Sequence, residues 1–431
     1  MQTQRILSAL LALVFLFLLN PDSGKALGEN LTRLTPHLGD KRILHHGKNK
    51  TSGPAIQIDE QGALHLAWTQ DGHDQLNIYY LQSQLTEDGF PKPIQVNPSI
   101  QFATSLHEPP ALALGPHREV YVLWPAPHPH ADGKPFASIL NLSRSLDGGR
   151  TFLPPTRVND DEVVTGHSFD HLATAPNGTI HIAWIDAREG KKDPATYTAR
   201  SLDRGSTITK NLKIDDSTCV CCRTSVATSP DGTVYVTWRK IFPGNVRETV
   251  VARSKNGGQS FDPAVIVGHD QWVFAGCPHR PASLGADGQG RLYVSWYTEG
   301  PDDTPGVYLA TSDDQGLTFT ARTMLNTSKG TFPDHPQMAV DDQGRILVIW
   351  EEQSPVRREI VMRYSLDRGK TFIAPQKLNI KKAQHPAVAI NNQGQAIFAW
   401  QEQIAFPNWS TVLQPVSFEE HPAHTATART P

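Results

Sequence analysis

The sequence predicts an all-β fold, a β-propeller of four-stranded blades, and two repeated features carry that expectation. Tryptophan closes an alternating strand after a glycine turn seven times, at Trp68, Trp124, Trp184, Trp238, Trp296, Trp350 and Trp400, spaced 50 to 60 residues apart. A polar turn of the form Ser-x-Asp-x-Gly-x-Thr recurs at one place within that period. A repeat of this length matches one four-stranded sheet and is far too long for a solenoid coil. Such an array is one body however long it is, so the 431 residues do not call for several domains.

In chain order, residues 1–28 read as a secretory leader. Arg5 supplies the positive start, Ile6 to Leu19 the apolar run, and Ala26-Leu27-Gly28 a small-residue cleavage site. That run is shorter than the roughly 20 residues needed to cross a bilayer, and no later stretch is long and apolar enough to span one. The expected setting is therefore exported, periplasmic or secreted, where disulfides are permitted. Residues 29–39 read as a linker, 40–418 as the propeller and 419–431 as a polar tail.

The sixth repeat shows the internal order of a blade. An inner strand follows His335, a turn occupies Asp341 to Gly344, and a second strand ends at Trp350. A third strand ends at Ser365, and a fourth runs from Ile373 to Asn379. The last repeat has only three strands before the tail, while Lys41 to His46 is a strand with no neighbour to pair with. Joining the two closes the ring and removes its free edges. This favours seven blades over six with an irregular extra hairpin.

The polar turn stands between third and fourth strands, as Ser145, Asp147, Gly149, Thr151 and Phe152; as Ser201, Asp203, Gly205 and Thr207; as Ser312, Asp314, Gly316, Thr318 and Phe319; and as Ser365, Asp367, Gly369, Thr371 and Phe372. A fifth copy, Ser254 to Phe261, has Asn256 in place of aspartate, and a worn one lies around Ser83 to Phe90. A short carboxylate caps the donors of a tight turn and glycine takes the left-handed conformation, so these aspartates are expected to hold the fold together. The pattern resembles the Asp box, or BNR repeat, of the sialidase superfamily. That resemblance implies a propeller, six-bladed in sialidases, whereas seven tryptophan hairpins occur here.

A formal net charge of −3 offers no basic field for nucleic acid. In a propeller, the loops entering the inner strands and leaving the second strands open on one face around the channel mouth. His107, Glu108, His167, Asp170, His171, Asp334, His335 and His385 fall on entering loops. Asp71, His128, His130, Asp186, Arg188, Arg239, Lys240, Glu351, Glu352 and Glu402 fall on leaving loops. Polar side chains on a rigid frame are where function concentrates.

The same face is expected to hold all four cysteines, in Cys219-Val220-Cys221-Cys222 and Cys277-Pro278-His279. One reading is disulfides, tying Cys219 or Cys222 to Cys277, in an interaction scaffold. The other is a soft-metal site formed by Cys219, Cys221, Cys222, Cys277 and His279, since thiolates and imidazoles favour copper(I) or zinc. Thiol redox chemistry is a further option, because Arg223 and Arg280 would lower a thiol pKa.

The resemblance also implies a sialidase site: three arginines on the substrate carboxylate, a tyrosine nucleophile assisted by glutamate, and an aspartate acid. The family's Phe/Tyr-Arg-Ile-Pro motif is missing, and the corresponding region, Gly53 to Gly62, has no arginine. Candidate positions are Arg188, Arg223, Arg239 and Arg280 for the clamp, Tyr297 with Glu299 or Glu351, and Asp186 as acid. The expected activity is binding of a soft metal ion or a partner at the cysteine and histidine cluster, without glycoside hydrolysis. The alternative is an exo-α-sialidase acting on a small anionic glycan, in a chain read as a monomer.

Overall fold

A computed structural model gives the structure of the protein, and the residues described are 33–421 except 73, 99–100, 191–192, 301, 303 and 328–329. The expected leader lies outside them, as do residues 422–431 of the tail. The chain divides into a main body, residues 37–417, and a separate unit of residues 1–36 and 418–431, whose described residues are strand. No helix among the described residues is long and apolar enough to cross a membrane.

The body is a seven-bladed β-propeller. Blade 1 consists of Ala55–Ile58, Ala63–Asp71, Leu76–Gln84 and Ile94–Gln95; blade 2 of Ala111–Leu114, Val120–Pro127, Ser138–Ser145 and Thr156–Arg157; blade 3 of His167–Thr174, Ile180–Asp186, Ala195–Ser201 and Leu212–Asp215. Blade 4 consists of Ser225–Thr228, Val234–Phe242, Val246–Ser254 and Val265–Ile266; blade 5 of Ser283–Ala286, Leu292–Thr298, Gly306–Ser312 and Thr323–Met324; blade 6 of Phe332–Val340, Ile346–Gln353, Arg358–Ser365 and Gln376–Lys377. All pairings are antiparallel. Each inner strand packs beside the next, and that of blade 7, Ala383–Ile390, packs back on that of blade 1.

Closure follows the expected route. Blade 7 continues with Ala396–Ala405 and Asn408–His421, and its outer strand is Arg42–His45, with Arg42 opposite Leu413 and His45 opposite Ser410. The closing strand also repairs the worn turn of blade 1, which lacks the aspartate. The Arg42 guanidinium donates to Ser83 Oγ at 2.9 Å and to the Gln84 carbonyl at 2.8 Å, and it lies 4.4 Å from the Phe90 ring centroid.

Alternation along the strands explains the stacking. In blade 3, Ile180, Ile182 and Trp184 enter the apolar cluster shared with blade 2, while Ala183 enters the one shared with blade 4. A strand covered on both faces is apolar at nearly every position. Trp68, Trp124, Trp184, Trp238, Trp296 and Trp350 each pack with the preceding blade. Outer strands are shorter than expected: in blade 6 only Gln376 and Lys377 pair, because the polar turn extends to the Ile373 amide, which donates to the Tyr364 carbonyl, and Pro375 has no N–H.

The five polar turns share one bonding pattern. Ser145 Oγ donates to Asp147 Oδ1 at 2.7 Å and accepts the Gly149 amide at 2.8 Å, while Asp147 accepts the Thr151 amide and hydroxyl at 3.0 and 2.6 Å. The bonds to the Thr151 hydroxyl, Ser145 and the Thr151 amide hold the Asp147 carboxyl far below its ordinary pKa. Asn256 keeps the scheme, since its carbonyl oxygen accepts from Ser254 and Ser260 as the aspartates do.

Candidate functional site

Three of the four cysteines meet at one end of blade 4. Before the inner strand begins, the chain runs along the far end of the second strand: the Ile241 amide donates to the Ser217 carbonyl, and the Cys219 amide to the Arg239 carbonyl, each at 2.8 Å. The turn that follows brings Cys219 Sγ to 3.8 Å from Cys221 Sγ and 3.4 Å from Cys222 Sγ, with all three sulfurs within 4.8 Å of one another. They are 1%, 4% and 1% exposed and are packed against Phe169 and Ile241. A disulfide needs about 2.05 Å between sulfurs, and all four cysteines are free.

Hydrogen bonds from Cys221 and Cys222 hold the Cys219 thiol far below the usual thiol range, with Arg239 adding to the effect. Cys221 is pushed up by its bonds to Cys219 and Cys222, and Cys222 by burial.

The expected fourth thiol does not join them. Cys277 is exposed, and neither it nor His279 belongs to the group of close ligand atoms. The inner strand of blade 5 starts only at Ser283. The chain before it leaves along blade 4, where Trp272 and Val273 pair with Arg247 and Val246. Arg247 then holds the carbonyls of Phe274 and Gly276 at 3.0 and 3.1 Å. Disulfides from Cys219 or Cys222 to Cys277 are accordingly not formed. His279 instead stacks on His107, with ring centroids 5.7 Å apart and planes 7° apart, and stands 6.1 Å from Phe169.

Arg239, read as a clamp residue, lies inside the protein beside the thiols. It is 3% exposed. Its Nη2 donates to the Tyr297 carbonyl at 2.7 Å, and the guanidinium lies 5.1 Å from the Trp272 ring. Nε and Nη1 are buried without a hydrogen-bond partner among the described residues.

The inner strands of all seven blades surround a channel of about 500 Å³, lined at one end by His107, Glu108, His171, Arg223, His335 and His385. Phe169, His279, His335 and His385 have φ of 55°, 52°, 47° and 55°, and the strands carrying Phe169, His335 and His385 are bulged at these points. Non-glycine residues held in this conformation concentrate at ligand sites. Burial pushes the His171 and His385 imidazoles down to about 3 and about 4, and the Asp170 carboxyl up to about 6.

Two of the sialidase candidates meet: Tyr297 donates to Glu299 Oε1 at 2.8 Å, and Arg280 covers the Tyr297 ring at 3.9 Å. Burial raises the Tyr297 phenol well above its ordinary range. The arginines are engaged by protein groups. Arg280 bonds Asp334 at 3.0 Å and Glu299 at 3.4 Å, Arg223 bonds the Asp170 carbonyl at 2.6 Å and lies 3.6 Å from Glu108, and Arg188 bonds Asp160 and Asp186 at 2.8 Å. Asp186 is buried in a separate network, accepting the Trp184 indole and Arg188 and forming a close group with Asp161 and His167. Sequence reasoning named His167 and Asp186 singly and missed Asp161, which lies in a loop without a repeat signal. It also missed Trp272 and Phe169 as neighbours of the site.

No family model and no curated protein matches the chain. Solved structures do resemble it. An ulvan lyase of polysaccharide lyase family PL25, bound to -[GlcA(1-4)Rha3S]-, aligns with a TM-score of 0.57 at 10% identity, over 86% of this chain and 95% of that one. A Dyadobacter fermentans protein of unknown function aligns at 0.52 and 14%, over 89% and 99%. The microbial sialidase Hz136 aligns at 0.49 and 15%, over 83% and 76%. At these identities the likeness is one of fold.

Proposed function

We propose that the protein is an exported propeller of the Asp-box, sialidase-like kind that binds a soft metal ion, copper or zinc, through Cys219, Cys221 and Cys222, without hydrolysing glycosides. The observation that carries this reading is the set of three buried, unoxidised sulfurs within 4.8 Å of one another. Sulfurs about 2.3 Å from a shared ion lie roughly 3.8 to 4.0 Å apart, so binding requires little movement. The recurring Ser-Asp-Gly-Thr turns support the sialidase-like assignment, and the apolar run from Ile6 to Leu19 supports export. Thiol titration with metal analysis of the native protein tests the reading. One equivalent of copper or zinc is expected, lost on Cys222→Ser and retained on Cys277→Ser. Four freely reactive thiols and no bound metal would sink it.

A second reading, an exo-sialidase or another enzyme on anionic glycans, is favoured by the Tyr297–Glu299 hydrogen bond beneath Arg280. Against it stand the arginines, each engaged by a protein group before a substrate arrives. Release of 4-methylumbelliferone from a sialoside by the wild-type chain, abolished by Tyr297→Phe, would establish this activity. No release by the wild type is the expected result.

A further inference from the structure

From the coordination that the cluster allows, we infer that its ion is monovalent copper, held by three sulfurs alone, with the buried Arg239 guanidinium as counter-charge. This inference rests on the metal reading of the same thiols and narrows it to one oxidation state and one coordination number.

The number of available ligands decides against zinc. A protein zinc ion completes four positions, with a fourth side chain or a water. Among the described residues no histidine or carboxylate joins the three sulfurs as a fourth close ligand. The two residues best placed by sequence to do so, Cys277 and His279, are exposed and outside the group. Water is also kept away: the cysteines are at most 4% exposed, and hydrophobic side chains, Phe169 and Ile241, pack against them. Three buried soft donors without a fourth among the described residues suit copper(I), a soft ion content with two or three thiolates.

The second observation concerns blade 4 itself. In blades 3, 6 and 7 the strand tryptophan donates its indole N–H to the acid two positions later: Trp184 to Asp186, Trp350 to Glu352 and Trp400 to Glu402. In blade 4 that position is Lys240, which turns to Asp215, and Trp238 Nε1 is buried without a partner among the described residues, as are Nε and Nη1 of Arg239. Buried polar groups are almost always bonded, and a buried cation is stable only near negative charge. The described protein does not supply that charge to Arg239 as a carboxylate: its Nη2 contacts are carbonyl oxygens. A copper(I) trithiolate is anionic, and Arg239 adjoins it through its own carbonyl, which accepts the Cys219 amide at 2.8 Å. Arg239 is thus a positioning residue for the centre, touching no ion itself.

The experiment is a competition titration of the reduced full-length chain, under anaerobic conditions, with copper(I) against a chromogenic copper(I) chelator and with zinc(II) against a zinc chelator. Expected are one copper(I) per chain, bound at least a hundredfold more tightly than zinc(II), and loss of the copper on Cys222→Ser. Arg239→Gln should weaken copper(I) binding about tenfold, the order of one partly screened charge, while Arg239→Lys, which keeps the charge, restores most of it. Circular dichroism of both variants checks that the blade is intact. Zinc binding as tight as copper overturns the inference and leaves the soft-metal reading standing, whereas binding of neither ion overturns the soft-metal reading as well. Equal copper affinity in wild type, Arg239→Gln and Arg239→Lys removes the role given to Arg239.

Discussion

Asp170 is a carboxylate whose buried environment opposes its charge. It is 3% exposed, its Oδ2 has no hydrogen-bond partner among the described residues, and Arg223 approaches that oxygen only to 4.0 Å. Burial raises its pKa to about 6, with Arg223 acting in the other direction, so between pH 4 and 6 the folded state holds a proton that the unfolded state has released. Stability linked to this group is therefore present below pH 4 and lost as pH rises through 6. Asp170→Asn is expected to stabilise the protein at pH 7 by about 3 kcal/mol and to leave it unchanged at pH 3.5, as read by denaturant unfolding at the two pH values. A loss of stability at pH 7 would show that the carboxylate is held by its partners. The site's residues were partly legible: Asp170, Arg223 and the cysteines stand out as polar groups just before an inner strand. Their partners were not, because Phe169 and Trp272 are apolar and look like core in the sequence.

At the scale of elements, the turns show what a repeated motif fixes and what it leaves to its neighbours. Gly149 and Gly232 both need positive φ, 88° and 82°, and a side chain costs roughly 1 to 2 kcal/mol in that conformation. They differ in what a methyl group would meet: at Gly232 nothing among the described residues lies within 4 Å, whereas at Gly149 it would fall 2.3 Å from Tyr80 Oη of blade 1. Tyr80 cannot easily give way, because its hydroxyl lies 2.6 Å from His65 Nδ1 and its ring packs on Phe152. Gly149→Ala should then cost about 1 to 3 kcal/mol more than Gly232→Ala, measured by thermal unfolding of the two variants. Equal losses would mean that the seam between blades 1 and 2 yields freely. The sequence announces the turn in both cases, and only the packing of one blade on another separates them.

For the molecule as a whole, the ring and the site were legible to different depths. Blade number, closure by Lys41 to His46 and the place of the polar turns follow from the sequence by itself, because period, alternation and turn chemistry are local properties of the chain that repeat in every blade. The sequence also marked blade 4 as exceptional, by its three cysteines and by Arg239-Lys240 after the tryptophan. Only the tertiary structure decided which groups meet at that end of the blade: three sulfurs and a buried guanidinium, without Cys277. The reason is that residues between Gly268 and Ser283 follow a pairing with Val246 and Arg247 that belongs to no repeat. A long-range contact that occurs once leaves no periodic trace from which its geometry could be read.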